Sequence, residues 1–384
     1  MRKKSLLMVA VLVVIALVAG CSGGQEATNE QASDQAQQQE EELKVGIVLS
    51  SGGKGDKSFN DSALRGLSRA EDEGVISSYK YLEPKQVSVV EKNLRFLAEN
   101  GYDLVIGIGF MQKDALTKVS KEFPDTNFAI VDEVVENDNV ASIIFKEHHG
   151  SFLTGAFAAL MTNHDQIEGI NEEQVVGFLG GMDMPLIHKF ELGYTSGVEY
   201  INKTEGTNVK AKVAYAGSSP DAFNDPAKGK EIALAQYNAG ADIIYHASGG
   251  TGGGLFNAAQ KVNRYAIGVD SDQDYIAPGF ILTTMQKRVD NAVYDVVESL
   301  KNDNFTAGVK EYGLKKEGIK VSLNGLGPMT KAALESGDIT EEQAEKIKKM
   351  KQMIPSDIKD KIKEIRDDII AGEIDVPNYL KQNN

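Results

Sequence analysis

Short apolar segments alternate with amphipathic ones along most of the chain after residue 43. The apolar segments are nearly continuous runs, such as "KVGIVLS" and "DLVIGIG", which is typical of parallel strands covered on both faces. The segments between them have apolar residues at helical spacing. This repeated β–α pattern predicts an α/β protein with open, doubly wound sheets. Strands are predicted at 44–50, 103–109, 127–132, 140–145, 175–181, 212–217, 242–247, 264–270 and 281–286, and helices at 60–73, 88–100, 112–122, 149–162, 187–201, 228–239 and 253–263.

The length of the chain and the order of its elements predict two sheets rather than one. A folded segment of this size normally forms two domains. A helix rich in small residues, "GSFLTGAFAALMT", would open the second domain, and the helix "VDNAVYDVVESLKND" would return to the first. The predicted lobe 1 comprises residues 43–148 and 283–312, and lobe 2 comprises residues 149–282 and 313–384.

The N-terminus has the parts of an export signal. "MRKK" is a positive segment, and the apolar run that follows it is shorter than the roughly 18 to 20 residues of a transmembrane helix. It ends at "LVAGC", which resembles a bacterial lipobox and implies lipidation of Cys21, the single cysteine of the chain. We predict a signal peptide at 1–20 and, because 21–42 is rich in Gln and Glu, a flexible tether there. An ordinary secretory signal that ends in cysteine is the alternative, disfavoured because position, spacing and uniqueness agree.

Charge and composition exclude several classes of partner. The net charge is −15, and it becomes −18 once the three basic residues of the signal peptide are removed. So negative a protein is not expected to bind nucleic acid or to adhere broadly to anionic lipid. The chain has no Trp, so an aromatic binding platform would consist of Phe or Tyr.

One aromatic residue lies where the chain should be solvated. Phe59 falls within "GDKSFND" (55–61), a polar loop between the first predicted strand and helix. The ring could pack on the first helical turn as a hydrophobic staple. Alternatively, a ligand could cover it.

Ligands of open parallel sheets bind at the carboxyl ends of the strands. The residues at these ends include two loop phenylalanines, several carboxylates, one lysine and two glycine-rich turns. They are Ser50, Ser51, 56–60, 109–112, Asp132, 180–185, Phe223, 248–254, 270–273 and Lys287.

The glycine-rich turns do not fit the nucleotide motifs. "GGKGDKS" has Asp56 where a phosphate loop has glycine, and its charge would repel phosphate. "GGTGGG" (249–254) has its third glycine out of place for a dinucleotide fold. It would let a ligand approach the backbone at a helix N-terminus, although a tight turn remains open. The histidines show no metal-site spacing, and no signature specific to an enzyme is present, so neither cofactor nor catalysis is predicted.

Long segments of the chain resemble one family. They are the lipobox, "DKSFN", "FPDTNFAIVD", "GSFLTGAFAAL", "VGFLGGMDMPLIHKFELGYTSG", "AFNDPAKGKEIA", "GADIIYHASGGTGGGLFNAA", "GVDSDQ" and "LTTMQKRVDNAVY". Together they are similar to the basic membrane protein family, the substrate-binding lipoproteins of ABC importers. The resemblance covers essentially the whole chain after the tether. It implies a type I periplasmic-binding-protein fold, with a ligand cleft between two lobes whose closure signals the permease.

The resemblance also implies a ligand site. Family members that bind purine nucleosides stack the base between two phenylalanines, which by motif are Phe59 and Phe223. Asn60 and Asp132 would then face the base edge, and the ribose would contact Asp270, Lys287 and the backbone of Gly249 and Gly250. Ser50 stands where many relatives have Asp, and Asp56 completes the predicted set of ligand-binding residues.

We therefore predict an extracytoplasmic lipoprotein that captures nucleosides, purine nucleosides first among them, and delivers them to ABC permease subunits. The protein would be a monomer and would contact the membrane through its lipid anchor. Phosphate would be poorly accommodated beside Asp56, Asp132 and Asp270, which favours nucleosides over nucleotides. The alternatives are riboflavin or another flat heterocycle with a polyol, and a surface receptor or adhesin of the same fold.

Overall fold

The computed structural model describes residues 43–382. The predicted signal peptide, Cys21 and tether lie outside the described residues. The strands are β1 Lys44–Val48, β2 Ser78–Leu82, β3 Leu104–Ile108, β4 Asn127–Val131, β5 Val140–Phe145, β6 Val175–Met182, β7 Lys210–Gly217, β8 Ala241–Ala247, β9 Tyr265–Val269, β10 Ile281–Lys287, β11 Gly308–Tyr312 and β12 Ile319–Val321. The helices are α1 Phe59–Asp72, α2 Val90–Glu99, α3 Lys113–Glu122, α4 Glu147–Met161, α5 Pro185–Glu205, α6 Pro226–Asn238, α7 Gly252–Val262, α8 Val289–Lys301, α9 Pro328–Ser336, α10 Glu341–Met353, α11 Ser356–Ala371 and α12 Tyr379–Gln382.

The strands form two six-stranded sheets, one in each lobe. The sheet of lobe 1 has the order β11-β5-β4-β3-β1-β2, and all its neighbours are parallel. The sheet of lobe 2 has the order β12-β10-β9-β8-β6-β7, and only β12 runs antiparallel to its neighbour. The prediction of two doubly wound α/β lobes is confirmed. Sequence analysis missed β2, β11 and β12, which lie at sheet edges and lack a continuous apolar run.

The chain passes between the lobes three times. It leaves lobe 1 after β5, returns to it after β10, and enters lobe 2 again between β11 and β12. The predicted boundary between residues 282 and 283 falls inside β10, so it needs correction. This strand is buried throughout and pairs with β9 and β12, so the chain leaves lobe 2 only after Lys287.

Small residues let α4 and α5 pack closely in lobe 2. A Cβ atom at Gly155 would lie 1.9 Å from the carbonyl oxygen of Tyr194, and one at Gly197 would lie 2.1 Å from that of Phe152. Glycine is therefore required at both helices for this approach. The small-residue segment "GSFLTGAFAAL" has a structural role.

The C-terminal helices contribute to the core of lobe 2. Lys351 of α10 is buried, and its Nζ lies 2.8 Å from Asp274 and donates to the carbonyl oxygen of Leu282 at 2.8 Å. Helix α11 packs on α4 and buries one isoleucine face, Ile358, Ile362, Ile365 and Ile369. The opposite face is charged and solvated. Within residues 43–382, no helix is both long and apolar enough to cross a membrane.

Candidate ligand-binding site

The carboxyl ends of the strands of both lobes face a common cavity. The space between the protein atoms here amounts to about 680 Å³, part of which is open to solvent. Nine of the ten predicted site residues line it, and Gly250 does not. The lining residues are Ser50, Ser51, Gly52, Asp56, Phe59, Asn60, Gly109, Phe110, Met111, Asp132, Leu186, Ile187, Phe190, Phe223, Ala247, Ser248, Gly249, Val269, Asp270 and Lys287.

The two predicted phenylalanines reach the cavity from different lobes. Phe59 is the first residue of α1 in lobe 1, and Phe223 ends a short 3₁₀ helix in lobe 2. Both rings are partly buried. The backbone of lobe 2 approaches Phe223 so closely that a Cβ at Gly181 would lie 2.5 Å from the ring. An apolar face is thus available on each side of the cleft.

Asp56 organises the loop that carries Phe59. Its carboxylate accepts hydrogen bonds from the backbone N–H groups of Ser58 at 2.9 Å, Asn60 at 2.9 Å and Asp61 at 3.1 Å. It also accepts one from Nδ2 of Asn60 at 2.9 Å. Burial raises the pKa of Asp56, and these backbone bonds oppose the rise. The carboxylate therefore serves mainly to hold the loop and the start of α1.

Ser50 and Asn60 are engaged with each other. Oδ1 of Asn60 accepts from the backbone N–H of Ser50 at 2.8 Å and from its hydroxyl at 3.1 Å. Because Nδ2 already donates one hydrogen to Asp56, one N–H of the Asn60 amide remains for a ligand.

Asp132 and Asp270 occupy equivalent places in the two lobes. Asp132 follows β4 and Asp270 follows β9, each the fourth strand of its lobe. Both have a left-handed backbone, with φ of 71° and 63°. This conformation is uncommon for residues other than glycine, and such strain is concentrated at functional sites. The left-handed conformation directs each carboxylate toward the cleft.

Lys287 joins the lobes at the end of β10. Its Nζ lies 2.6 Å from both carboxylate oxygens of Asp132 and 3.0 Å from Glu147. It also lies 5.0 Å from the ring centre of Phe59 and 5.1 Å from that of Phe145. Burial disfavours its charge, but the carboxylates of Asp132 and Glu147 outweigh burial and raise the pKa of Lys287. Lys287 is therefore a buried cation.

The structure adds two charged residues that sequence analysis missed. Glu147 is at the start of α4, and Lys189 of α5 pairs with it and donates to the carbonyl oxygen of Phe145 at 2.9 Å. Burial opposes the charge of Glu147, but Lys189 and Lys287 outweigh it and lower its pKa to about 2. Glu147 follows β5 closely, so its position after a strand was the available signal.

Asp270 is less well compensated than Asp132. Its Oδ2 accepts a hydrogen bond from the hydroxyl of Ser58, in the opposite lobe, at 2.5 Å. Burial raises the pKa of Asp270 to about 6, although Lys287 opposes the rise. A ligand hydroxyl that donates to this carboxylate would stabilise its charged form.

Sequence analysis also missed an apolar part of the wall. Leu186, Ile187 and Phe190 lie in the first turns of α5, which begins at Pro185. Their segment directly follows β6, which is again the signal that could have identified them. Apolar faces with a few convergent charges are typical of sites for small organic molecules.

Comparison with known proteins agrees with this geometry. A family model described as "ABC transporter substrate-binding protein PnrA-like" matches residues 43–361. The chain belongs to this Bmp family. It is therefore a substrate-binding protein of an ABC transporter and not an enzyme, and its partners are a ligand and a permease.

Relatives of the Bmp chain come from bacteria and archaea. An "ABC transporter nucleoside-binding protein BmpA" of Lactococcus lactis is 32% identical, over 88% of this chain and 90% of the relative. An uncharacterised lipoprotein of Pyrococcus furiosus is 33% identical, over 87% of this chain and 81% of the relative. The crystal structure of an ABC transporter solute-binding protein from Aeropyrum pernix is 30% identical, with a TM-score of 0.78, over 87% of this chain and 94% of that one.

Proposed function

We propose that this Bmp protein binds nucleosides, purine nucleosides first among them, in the cleft between its lobes. The observation that carries the proposal is a cavity lined by Phe59 of one lobe and Phe223 of the other. A purine has two flat apolar faces, and aromatic stacking contributes about 1 to 3 kcal/mol per base. The name of the Lactococcus relative supports the same ligand class.

The charged groups of the cavity suit a neutral sugar better than a phosphate. The carboxylate of Asp270 can accept hydrogen bonds from ribose hydroxyls, and the backbone of Gly249 can accept or donate them. Lys287 and Gly250 would lie close to the same hydroxyls. Hydrogen bonds to charged groups contribute about 1.5 to 3 kcal/mol each. A phosphate would meet Asp56, Asp132 and Asp270, while Lys287 is already paired with Asp132. Nucleosides are favoured over nucleotides for this reason.

The remaining binding roles are assigned to polar groups that can still form a hydrogen bond with a ligand. Asn60 keeps one N–H and Asp132 keeps lone pairs, and both would face the base edge. Ser50 would take the place of the Asp of many relatives, as a weaker, neutral contact. These assignments leave Asp56 as the residue that holds the loop.

The ligand test begins with the protein as purified. Native protein is denatured, and the small molecules released are identified by mass spectrometry. Refolded protein is then titrated calorimetrically with inosine, guanosine, adenosine, uridine, inosine monophosphate and riboflavin. We expect a purine nucleoside to be released and to bind more tightly than the monophosphate. Preferential binding of riboflavin, or of none of these compounds, would contradict the proposal.

We further propose that Cys21 anchors the protein, as a monomer, to the outer face of the cell membrane. The support is the "LVAGC" segment and the lipoprotein name of the Pyrococcus relative. Cys21→Ser should move the protein from the membrane fraction to the soluble extracytoplasmic fraction. Retention of the variant in washed membranes would contradict the anchor, and sedimentation of the released protein as a dimer would contradict the monomer.

A further inference from the structure

His246 is a buried residue of β8 that the ligand site described above does not use. Its ring packs against Phe256 at 5.2 Å between centres. A Cβ at Gly252 would lie 2.1 Å from Cε1 of the ring. One glycine of "GGTGGG" is therefore required to make room for this imidazole. The ring is held in one orientation by these contacts.

Both ring nitrogens of His246 have a hydrogen-bond partner. Nδ1 lies 3.1 Å from the hydroxyl oxygen of Ser248, and Nε2 lies 3.1 Å from Oε1 of Gln273. Burial lowers the pKa of His246 to about 4, while the Gln273 bond opposes the fall. The ring is neutral near pH 7, so one nitrogen carries hydrogen and the other accepts.

The Gln273 amide decides which nitrogen carries the hydrogen. Its Oε1 accepts from the backbone N–H of Val269 at 2.8 Å, and its Nε2 donates to the carbonyl oxygen of Lys57 at 3.1 Å. A backbone N–H only donates and a carbonyl only accepts, so these two bonds fix the amide orientation. Nε2 of His246 must then donate to Oε1. Nδ1 is left as an acceptor, and the hydroxyl of Ser248 donates to it.

These bonds form a chain from the cavity wall to the opposite lobe. Ser248 lines the cavity beside Phe223, and Lys57 belongs to the loop of lobe 1 that carries Phe59. Because the hydroxyl hydrogen of Ser248 is directed to His246, only its lone pairs remain for a ligand. Ser248 is fully buried where it lines the cavity, so its acceptor suits an O–H or N–H donor of a ligand that packs directly against it.

We propose that His246 is a positioning residue that orients Ser248 as a hydrogen-bond acceptor for the ligand and Gln273 toward the lobe 1 loop. One imidazole then sets both the orientation of Ser248 in the cavity wall and the contact of Gln273 with the loop of lobe 1. The proposal goes beyond the identity of the ligand and rests on the proposed function only in the use of inosine as the probe.

The first test is a double-mutant cycle measured by calorimetry with inosine. Ser248→Ala should weaken inosine binding about tenfold, while Ser248→Thr, which keeps the hydroxyl, should bind nearly as the parent does. His246→Gln keeps a donor near Nε2 but loses Nδ1, so it should show a similar loss. The double variant should lose no more than either single one. Additive losses would overturn the proposal.

The second test separates the two arms of the chain. His246→Asn keeps an acceptor near Nδ1 but loses the bond to Gln273. Stopped-flow measurements should show inosine dissociating several-fold faster from it. Amide hydrogen exchange in residues 55–61 of the ligand-free protein should be faster in His246→Asn than in His246→Gln. Equal exchange in the two variants would overturn the link between the lobes.

Controls distinguish this proposal from loss of folding and from failure of the proposed function. Leu255→Ala, on α7 and outside the chain of hydrogen bonds, should lower the melting temperature and leave inosine affinity unchanged. If the His246 variants do not fold, Ser248→Ala and Ser248→Thr still decide, since equal affinity in the two would overturn the acceptor role. If the parent protein binds neither inosine nor any other nucleoside, the proposed function is wrong, and the exchange experiment still tests the link.

Discussion

The two lobes have the same strand order in their first five strands, yet equivalent carboxylates in them have different hydrogen-bond partners. Asp132 follows β4 of lobe 1 and Asp270 follows β9 of lobe 2, and both have a left-handed backbone. Asp132 pairs with the ammonium of Lys287, whereas Asp270 accepts from the neutral hydroxyl of Ser58. The partner of Asp132, Lys287, is the last residue of β10 in lobe 2. The partner of Asp270, Ser58, lies in lobe 1.

This difference indicates that the charges of the two carboxylates are balanced in different ways on the two sides of the cleft. Lys287, which Glu147 also holds, offsets part of the burial cost of the Asp132 charge, although burial still raises the pKa of Asp132. Asp270 remains charged near neutral pH without a direct cationic partner, so its carboxylate is available to a ligand donor. A residue that decreases stability and lies in a cavity is a strong candidate for binding.

The largest expected effect comes from removing the cation that serves lobe 1. Lys287→Met leaves Asp132 and Glu147 buried without Lys287, although Lys189 still contacts Glu147. Breaking a buried ion pair by removing one partner destabilises a protein by about 3 to 5 kcal/mol. Urea unfolding, followed by circular dichroism, should show a loss of this size in the free energy of unfolding.

The matched control is Lys320→Met. Lys320 is exposed on β12, beside β10, so its substitution should change the free energy of unfolding by less than about 0.5 kcal/mol. A Lys287 variant as stable as this control would show that the ion network does not stabilise the fold.

The second prediction gives the two aspartates opposite signs. Asp132→Asn weakens the bond to Lys287 and should destabilise the ligand-free protein by about 2 kcal/mol. Asp270→Asn removes a buried charge without a direct cationic partner and should stabilise it by about 1 to 2 kcal/mol at pH 8. Asp270→Asn should nevertheless weaken ribonucleoside binding in calorimetry. Equal signs in urea unfolding would remove the distinction between the lobes.

The pH dependence of Asp270→Asn sharpens this contrast. The folded-state pKa of Asp270 is raised to about 6, so its contribution to stability is present below about pH 4 and is lost as the pH rises through 6. The advantage of Asp270→Asn over the parent should therefore grow between pH 4 and pH 8. A constant difference over this range would show that Asp270 does not titrate as described.

The third prediction concerns the rings, which should act alike in the two lobes. Phe59→Ala and Phe223→Ala should each weaken binding of inosine about tenfold, as expected from the loss of one stacking face. Phe96→Ala is the control, because this ring is 42% exposed on α2. If only one ring affects affinity in calorimetry, the base does not lie between them.

Local patterns were sufficient to predict the β–α alternation and nine residues that line the cavity. The buried strands are continuous apolar runs, and cavity-lining residues such as Phe59 and Asp270 directly follow strands or begin helices. The edge strands β2 and β11 were missed because they are partly solvated and carry mixed residues. Residues behind the cavity wall, such as Lys189 and His246, had no periodic signal.

The sequence by itself determined the two α/β lobes, the family and many of the residues that line the cleft, because strand ends and motifs are local properties. Tertiary structure alone decided how those residues are paired. Lys287 meets Asp132 across 155 residues, and Ser58 meets Asp270 across 212. Such pairs depend on how two sheets face each other. The same reason explains why β10 ends in lobe 2, since its hydrogen bonds to β9 and β12 place the crossover after Lys287.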